Sequence, residues 1–181
     1  MSLPDQLFKP ERYTYQDYLL WKGDWELVNG YPYAMSPSPT RNHQLFSSKL
    51  IQKAGNEIDK IDADCQCQVY SELDWVIDKD SVVRPDCMIV CGNFTDDFLT
   101  FPPTLIVEIS SPSTKLRDRN TKYNLYELKA VKYYIISNTE TKTIEAFELV
   151  LGKYRPKYDS DFQLTEKCLI HFDVFSIWNS M

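Results

Sequence analysis

Apolar residues recur with a helical period in three segments of the chain and with strand-like patterns in most of the others. Residues 14–21 predict a short helix that Thr14 caps, and residues 40–61 predict a longer helix that begins at Thr40. A stripe of apolar residues at three- and four-residue spacing runs along the longer helix: Leu45, Leu50, Ile51, Ala54 and Ile58. Residues 113–128 predict a third helix. We expect the striped face of the second helix to lie on a sheet.

The other patterned segments predict β-strands. Residues 25–28 and 31–35 flank Asn29-Gly30, a dipeptide typical of a two-residue β-hairpin. Further strands are predicted at residues 69–77, 83–90, 104–109, 131–137, 144–151, 153–158 and 168–172. Residues 104–109 are apolar on both faces apart from Glu108, which is typical of a central strand that is covered on both sides. The order of elements predicts an α/β (α+β) fold, in which helices flank a mixed β-sheet and a β-hairpin lies near the N-terminus.

Length and composition indicate one packed domain. The chain has 181 residues, of which 43% are hydrophobic and 14% aromatic, so it can form one sizeable, aromatic-rich core. We therefore divide it into an N-terminal tail, residues 1–12, and a single domain, residues 13–181. The N-terminus lacks the apolar run of a signal peptide, and no stretch approaches the roughly 20 apolar residues of a membrane span. We expect a cytoplasmic protein with no membrane partner.

Cysteine spacing and charge narrow the functional classes. The five cysteines form no C-x-x-C pair and the two histidines lie far from zinc-ligand spacing, which predicts reduced, mostly buried thiols. The net charge of −6 opposes a general affinity for nucleic acid. Residues 114–132, however, carry six basic residues against two acidic ones, so this stretch is +4 and the rest of the chain is −10.

Two carboxylates are the strongest candidates for chemistry. Asp86 follows Pro85 at the start of one apolar strand, and Glu108 lies 22 residues later in another. An ionised glutamate in an apolar strand is costly without a compensating cation, and two adjacent carboxylates repel each other. A Mg²⁺ ion would resolve both problems, because it takes oxygen ligands from carboxylates, water and phosphate. The alternative is an ordinary Pro-Asp corner at Asp86 and a lysine partner for Glu108 at the sheet rim.

Several motifs, in a fixed order, extend beyond these two acids. They are Trp-Glu-Leu-Val-Asn-Gly at residues 25–30, His43 on the second helix, Arg-Pro-Asp at 84–86, Ile-Val-Glu-Ile-Ser-Ser-Pro-Ser-Thr at 106–114, Asp-Arg-x-x-Lys-x-x-x-Tyr at 118–126 and Val-x-Tyr-Tyr at 131–134. The set resembles the bacterial restriction endonuclease family known as domain of unknown function 820, over roughly residues 13–177. Members of that family are assigned to the PD-(D/E)xK nuclease superfamily, whose core is a mixed sheet flanked by helices.

The resemblance implies roles for individual residues. It makes Asp86 and Glu108 ligands of Mg²⁺ or Mn²⁺, with the carbonyl of Ile109 as a third ligand. The superfamily's lysine stands two residues after the second acid, where this chain has Ser110. Lys122 is the natural substitute, because the family motif places a lysine on the following helix, from which it could position or deprotonate the attacking water. The alternative for Lys122 is a surface pair with Asp118 four residues earlier on the helix.

Five further residues are candidates for supporting roles. Lys115 and Arg119 share a helical face with Lys122 at spacings of four and three, and could contact the phosphates of DNA or form a solvated charge stripe. Glu26 could hold a second metal or orient water, and His43 could meet a phosphate or an acid of the site. The alternatives are an exposed strand glutamate at Glu26 and a helix-surface histidine at His43. Glu72 is a weaker candidate.

Three functional classes are compatible with these patterns. The resemblance favours a metal-dependent endonuclease that hydrolyses phosphodiester bonds in DNA. Ser110 in place of the usual lysine leaves open a catalytically inactive nuclease-fold module with a binding or regulatory role. Tyrosine- and phenylalanine-rich strands that could continue a sheet across a two-fold axis suggest an assembly protein. A homodimer suits the first class as well as the third, because cutting both DNA strands requires two sites.

Overall fold

The computed structural model describes residues 11–35, 38–61, 65–112 and 114–181. Within these ranges the helices are α1 (Tyr15–Tyr18), α2 (Arg41–Ile58), a π-helical segment (Arg117–Lys122), α3 (Tyr123–Leu128) and a 3₁₀ turn (Trp178–Ser180). The strands are β1 (Trp25–Val28), β2 (Tyr31–Ala34), β3 (Cys67–Ser71), β4 (Trp75–Asp78), β5 (Ser81–Val83), β6 (Cys87–Cys91), β7 (Leu105–Ser110), β8 (Tyr133–Asn138), β9 (Thr143–Val150), β10 (Lys153–Lys157), β11 (Asp161–Thr165) and β12 (Cys168–His171). No helix in these ranges is both long enough and apolar enough to span a membrane.

A six-stranded mixed sheet forms the centre of the fold, in the order β10-β9-β8-β7-β6-β3. Strands β7 and β8 are parallel, and the other neighbours are antiparallel. Every residue of β7 is buried, as expected of a central strand covered on both faces. One face packs on α2 and on the β11–β12 pair, and the other packs on α3 and the residues of β4. The predicted mixed sheet flanked by helices is therefore confirmed.

Helix α2 lies on the sheet as its apolar stripe predicts. Thr40 caps it, and Leu50, Ala54 and Ile58 are buried in the core. The fully buried aromatic residue of this face is Phe46, however, whereas Leu45 is only partly buried. The stripe is thus rotated slightly from the predicted one, which brings the ring of Phe46 into stacking contact with Trp178.

A second, four-stranded sheet contains the predicted N-terminal hairpin and has the order β2-β1-β5-β4. Asn29 and Gly30 join β1 and β2 with positive φ angles of 51° and 79°, the conformation that favours these two residues. The single strands predicted at residues 69–77 and 83–90 are wrong, since each is divided between the two sheets. The chain changes sheets at Glu72, which has a φ of 51°, and again at residues 84–86, where Pro85 cannot donate a ladder hydrogen bond.

The helical segment after β7 also departs from the expected geometry. Its predicted start, Ser113, lies outside the described residues. Residues 117–122 adopt a π-helix before α3 begins, and this wider i→i+5 turn changes which side chains share a face. Near the C-terminus, the polar alternation of Asp161–Thr165 concealed β11, which pairs with β12.

The prediction of reduced cysteines is wrong for four of the five. Cys67 on β3 stands opposite Cys91 on β6 in the strand register, and the two form a disulfide. A second disulfide joins Cys65 to Cys168 at the start of β12. Only Cys87 is a free, buried thiol. Sequence spacing could not reveal these pairs, because they depend on strand register and on packing between residues 24 and 103 positions apart.

Candidate active site

Asp86 and Glu108 meet at one end of the central sheet. The register of β6 against β7 pairs Cys87 with Val107, so Asp86 and Glu108 are the next residues on these two antiparallel segments. Both line a cleft of about 390 Å³, which also receives His43 from α2 and Lys122 from the π-helical segment. The fold therefore brings together the two acids that sequence reasoning paired.

Asp86 is held by two neighbours and remains partly open to solvent, with 18% of its side chain exposed. The backbone N–H of Ile109 donates to its Oδ2 at 2.6 Å, and Nε2 of His43 lies 3.1 Å from its Oδ1. Burial of the imidazole lowers the pKa of His43, but the hydrogen bond and charge of Asp86 more than offset this and leave the pKa above its ordinary value. Asp86 is thus oriented by contacts from α2 and β7.

Glu108 is buried, with 3% of its surface exposed, and belongs to a charged network. Nζ of Lys122 lies 2.9 Å from its Oε1, and the hydroxyl of Tyr126 donates to the same oxygen at 2.7 Å. Burial raises the pKa of Glu108 well above its usual range, and Lys122 opposes this effect. Burial and the charge of Glu108 together raise the pKa of Tyr126, so its phenol keeps the proton that it donates.

Lys122 links Glu108 to a third carboxylate, Glu26 on β1. Its Nζ lies 2.7 Å from Oε1 of Glu26, and only 3% of its side chain is exposed. Burial alone would lower the pKa of Lys122, but Glu108 and Glu26 raise it above its ordinary value. The alternative of a surface pair between Lys122 and Asp118 is therefore wrong. So is the alternative of an exposed Glu26, because Glu26 has no exposed surface and also accepts from the backbone N–H of Arg84 at 3.0 Å.

Ser110, two residues after Glu108, contacts a buried carboxylate of the cleft. Its Oγ donates to Oδ2 of Asp118 at 2.6 Å, and both residues are buried. A neutral hydroxyl here satisfies one buried carboxylate oxygen and supplies no cation. The cation nearest to Glu108 is thus provided by Lys122, from the element that follows the strand.

The predicted DNA-contacting face does not form as expected, because the π-helical geometry separates its three residues. Lys122 points into the buried network, and Arg119 forms a two-pronged ion pair with Glu145 on β9. Lys115 is exposed and is not among the residues that line the cleft. A phosphate-contacting role for Lys115 and Arg119 stays a prediction. Glu72 is exposed at the rim of the cleft.

Three charged residues of the cleft were not chosen from the sequence: Arg84, and two from the helical segment after β7, Arg117 and Asp118. Arg117 reaches Glu26, with its Nη2 3.4 Å from Oε2, and Asp118 is buried behind Ser110. Within residues 114–132, Arg117 and Asp118 are indistinguishable by sequence from ordinary members of a charged helical surface. Among the described residues that line the cleft, five are carboxylates and three are arginine or lysine cations: Glu26, Glu72, Asp86, Glu108 and Asp118 against Arg84, Arg117 and Lys122. This excess of carboxylates over cations favours the binding of a divalent cation.

Comparison with known proteins agrees with the fold and the motifs. A curated relative, the uncharacterized protein slr1290 of Synechocystis sp. (strain ATCC 27184 / PCC 6803 / Kazusa), is 27% identical over 136 residues, which cover 70% of each chain. The crystal structure of a putative nuclease belonging to DUF820 from Anabaena variabilis ATCC 29413 superposes with a TM-score of 0.70 at 13% identity, covering 92% of this chain and 99% of that one. This likeness confirms the predicted nuclease-like fold. The sequence model of the Uma2 family, described as "Putative restriction endonuclease", matches residues 15–169. That match spans most of the chain, which therefore belongs to the Uma2 family.

Proposed function

We propose that this protein hydrolyses phosphodiester bonds in DNA in a reaction that requires Mg²⁺ or Mn²⁺. The observation that carries the proposal is the meeting of Asp86 and Glu108 at the end of neighbouring strands, with the ammonium of Lys122 2.9 Å from Glu108. Two carboxylates can hold a divalent metal ion, and a nearby ammonium can stabilise the negative charge that develops on a phosphate.

The donor set of the cleft fits a small divalent cation. Both described donors to Glu108 approach Oε1, so neither of these hydrogen bonds occupies Oε2. Each oxygen of Asp86 has one described partner, which leaves it a further lone pair. Asp86, Glu108 and the carbonyl of Ile109 would hold the ion, and the excess of carboxylates over cations in the cleft favours a positive guest. When bound, such an ion polarises the scissile phosphate and lowers the pKa of a water molecule.

Side chains of the protein would position the attacking water and stabilise the charge that develops on the phosphate. Lys122, fixed between two carboxylates, would orient the attacking water and offset charge on the phosphate. His43 and the backbone N–H of Ile109 hold Asp86 in one orientation, which reduces the rearrangement needed when substrate enters. Glu26 would help to position Lys122, because its Oε1 lies 2.7 Å from the Nζ that also contacts Glu108. Ser110 has a structural part, because its hydroxyl satisfies Asp118.

DNA as the substrate is supported by membership of the Uma2 family and by the likeness in fold to a putative nuclease. By its resemblance to the superfamily, the reaction would leave a 5′ phosphate. The overall charge of −6 predicts weak binding, because attraction to the DNA backbone is confined to a local basic stretch. A homodimer would place two such sites on one duplex.

Plasmid nicking tests the proposal. Wild-type protein should convert supercoiled plasmid to open-circular DNA with Mg²⁺ or Mn²⁺ but not with a chelator, and Asp86→Ala and Glu108→Ala should abolish conversion. Asp97→Ala is the matched control, because Asp97 is exposed and does not line the cleft. Absence of cleavage by wild-type protein on supercoiled, linear and single-stranded DNA with either metal would instead support an inactive nuclease-fold module.

A further inference from the structure

Arg117 enters the cleft from the first turn of the π-helical segment. Its Nη2 lies 3.4 Å from Oε2 of Glu26, and its guanidinium carbon lies 5.4 Å from the centre of the Tyr33 ring. Glu26 carries Lys122 on its other oxygen, so the two cations flank one carboxylate. The guanidinium of Arg117 is therefore separated by a single carboxylate group from the Lys122–Glu108 pair.

The guanidinium of Arg117 has hydrogen-bonding capacity that the protein does not use. Only 16% of the side chain is exposed, yet Nε is buried without a hydrogen-bond partner and the contact with Glu26 is long. Oε2 of Glu26 likewise has no hydrogen bond that meets ordinary geometry. A charged guanidinium with five N–H donors is costly to withdraw from water unless an anion engages it. This arrangement suits a ligand that brings its own oxygens.

The other permanently charged cations of the cleft are already engaged. Arg84 donates to Asp74 at 2.6 Å and to Asp24 at 2.7 Å. Lys122 lies within 2.9 Å of two carboxylates. Among the described residues that line the cleft, Arg117 is thus the arginine or lysine whose side chain makes no hydrogen bond of ordinary geometry, and it is the one best placed to receive an incoming anion.

We infer that Arg117 binds a phosphate of the nucleic-acid backbone inside the cleft, next to the phosphodiester that is cut. The inference rests on the proposed function and adds a binding residue to it. A planar guanidinium offers two parallel N–H groups to two phosphate oxygens, which a lysine cannot match. Contact with the Tyr33 ring and the carboxylate of Glu26 restrict the plane of the guanidinium before substrate arrives. Arg117 therefore fixes the register of the backbone against Asp86 and Glu108.

The affinity of the protein for a fluorescent DNA duplex tests this assignment. Ca²⁺ replaces Mg²⁺ in the measurement, and a gel verifies that the DNA stays intact. Arg117→Ala should weaken binding about tenfold or more and reduce the slope of log affinity against log salt by about one. Arg117→Lys should keep the slope and lose part of the affinity, because it keeps the charge but not the fork. Arg155→Ala, an exposed arginine on β10 outside the cleft, should behave as wild type.

Wild-type affinity and an unchanged salt slope in Arg117→Ala would overturn the assignment. A melting profile will show whether the alanine variant folds. If it does not, Arg117→Lys serves as the test, and an undiminished affinity of that variant for DNA would also overturn the assignment. A titration with inorganic phosphate separates this inference from the proposed function. If wild-type protein binds phosphate but no DNA, and Arg117→Ala binds neither, the nuclease proposal fails while the anion site stands. If wild-type protein binds neither phosphate nor DNA, both fail.

Discussion

Replacing Lys122 by methionine would remove the only described cation that contacts both Glu26 and Glu108. The side chain is 3% exposed, and its Nζ lies 2.7 Å from one carboxylate and 2.9 Å from the other. Methionine fills a similar volume without charge, so the change isolates electrostatics from packing. The hydroxyl of Tyr126 would remain as the donor to Glu108, and Arg117 as the distant partner of Glu26.

The expected magnitude follows from the burial of the network. Removing one partner of a buried ion pair costs about 3–5 kcal/mol of unfolding free energy, because the other charge is left uncompensated. Total stabilities are about 5–15 kcal/mol, so the variant should fold but unfold at clearly lower urea concentration. Adding Glu108→Gln removes one of the stranded charges. The double variant should therefore lose about 1–3 kcal/mol less than the sum of the two single changes.

Urea unfolding of the four proteins, with chelator and with Mg²⁺, is the assay. If Glu108 is a metal ligand, Mg²⁺ should stabilise Lys122→Met more than wild type, because the ion replaces the missing cation. At a Mg²⁺ concentration of 100 times Kd, binding would add about 2.7 kcal/mol to the free energy of unfolding. The Glu108→Gln variants should gain much less from Mg²⁺. Equal stability of wild type and Lys122→Met in chelator would refute the network. A large loss that Mg²⁺ does not reduce would refute the ligand assignment of Glu108.

Three other changes have defined outcomes. Ser110→Lys, added to the methionine variant, should restore part of the cleavage rate if both positions serve the same water, and plasmid nicking would measure it; no recovery would argue against equivalent roles. Reduction of the disulfides should lower the free energy of unfolding by about 2–4 kcal/mol for each bond, and replacing Cys65 and Cys168 by serine should cause the loss expected for one bond. Identical urea midpoints with and without reductant would show that the disulfides do not form. Gly30→Ala should lower the free energy of unfolding by about 1 kcal/mol or more, because the φ of Gly30 is +79° and an added Cβ would lie 3.1 Å from Cβ of Arg12. Gly55→Ala in α2 should raise it by about 0.5–1 kcal/mol, because the space around Gly55 is open. Equal melting temperatures of the two alanine variants would contradict this interpretation.

Local patterns were sufficient where one element determines its own form. Asn29-Gly30 specifies a hairpin through backbone conformation alone, and the apolar run around Glu108 specifies a strand buried on both faces. The two acids could be paired before the fold was known because a family resemblance joined motifs that lie on neighbouring strands. Those motifs also pointed to Lys122, whose position the structure places against Glu108.

Features that depend on contacts distant in sequence could not be predicted in this way. Glu26 is buried against Lys122, which is distant in sequence, and a glutamate in a short strand has no local mark of that environment. The positive φ of Glu72 divides what reads as one alternating strand. The prediction that Lys122 and Arg119 share a face assumes the period of an α-helix. The wider turn of the π-helix changes that period and separates the two side chains. Arg117 then becomes a cleft residue rather than one charge among many.

The most direct test of the account is whether Asp86 and Glu108 form one divalent metal site, measured by titration of Mn²⁺ and detection of the free ion by electron paramagnetic resonance. Wild-type protein and Asp97→Ala should remove one equivalent of Mn²⁺ from solution with the same affinity. Asp86→Ala and Glu108→Gln should each weaken binding by at least about tenfold, and Mg²⁺ should compete with Mn²⁺ for the wild-type site. Undiminished binding of one Mn²⁺ by both site variants would contradict the account, because the ion would then lie elsewhere.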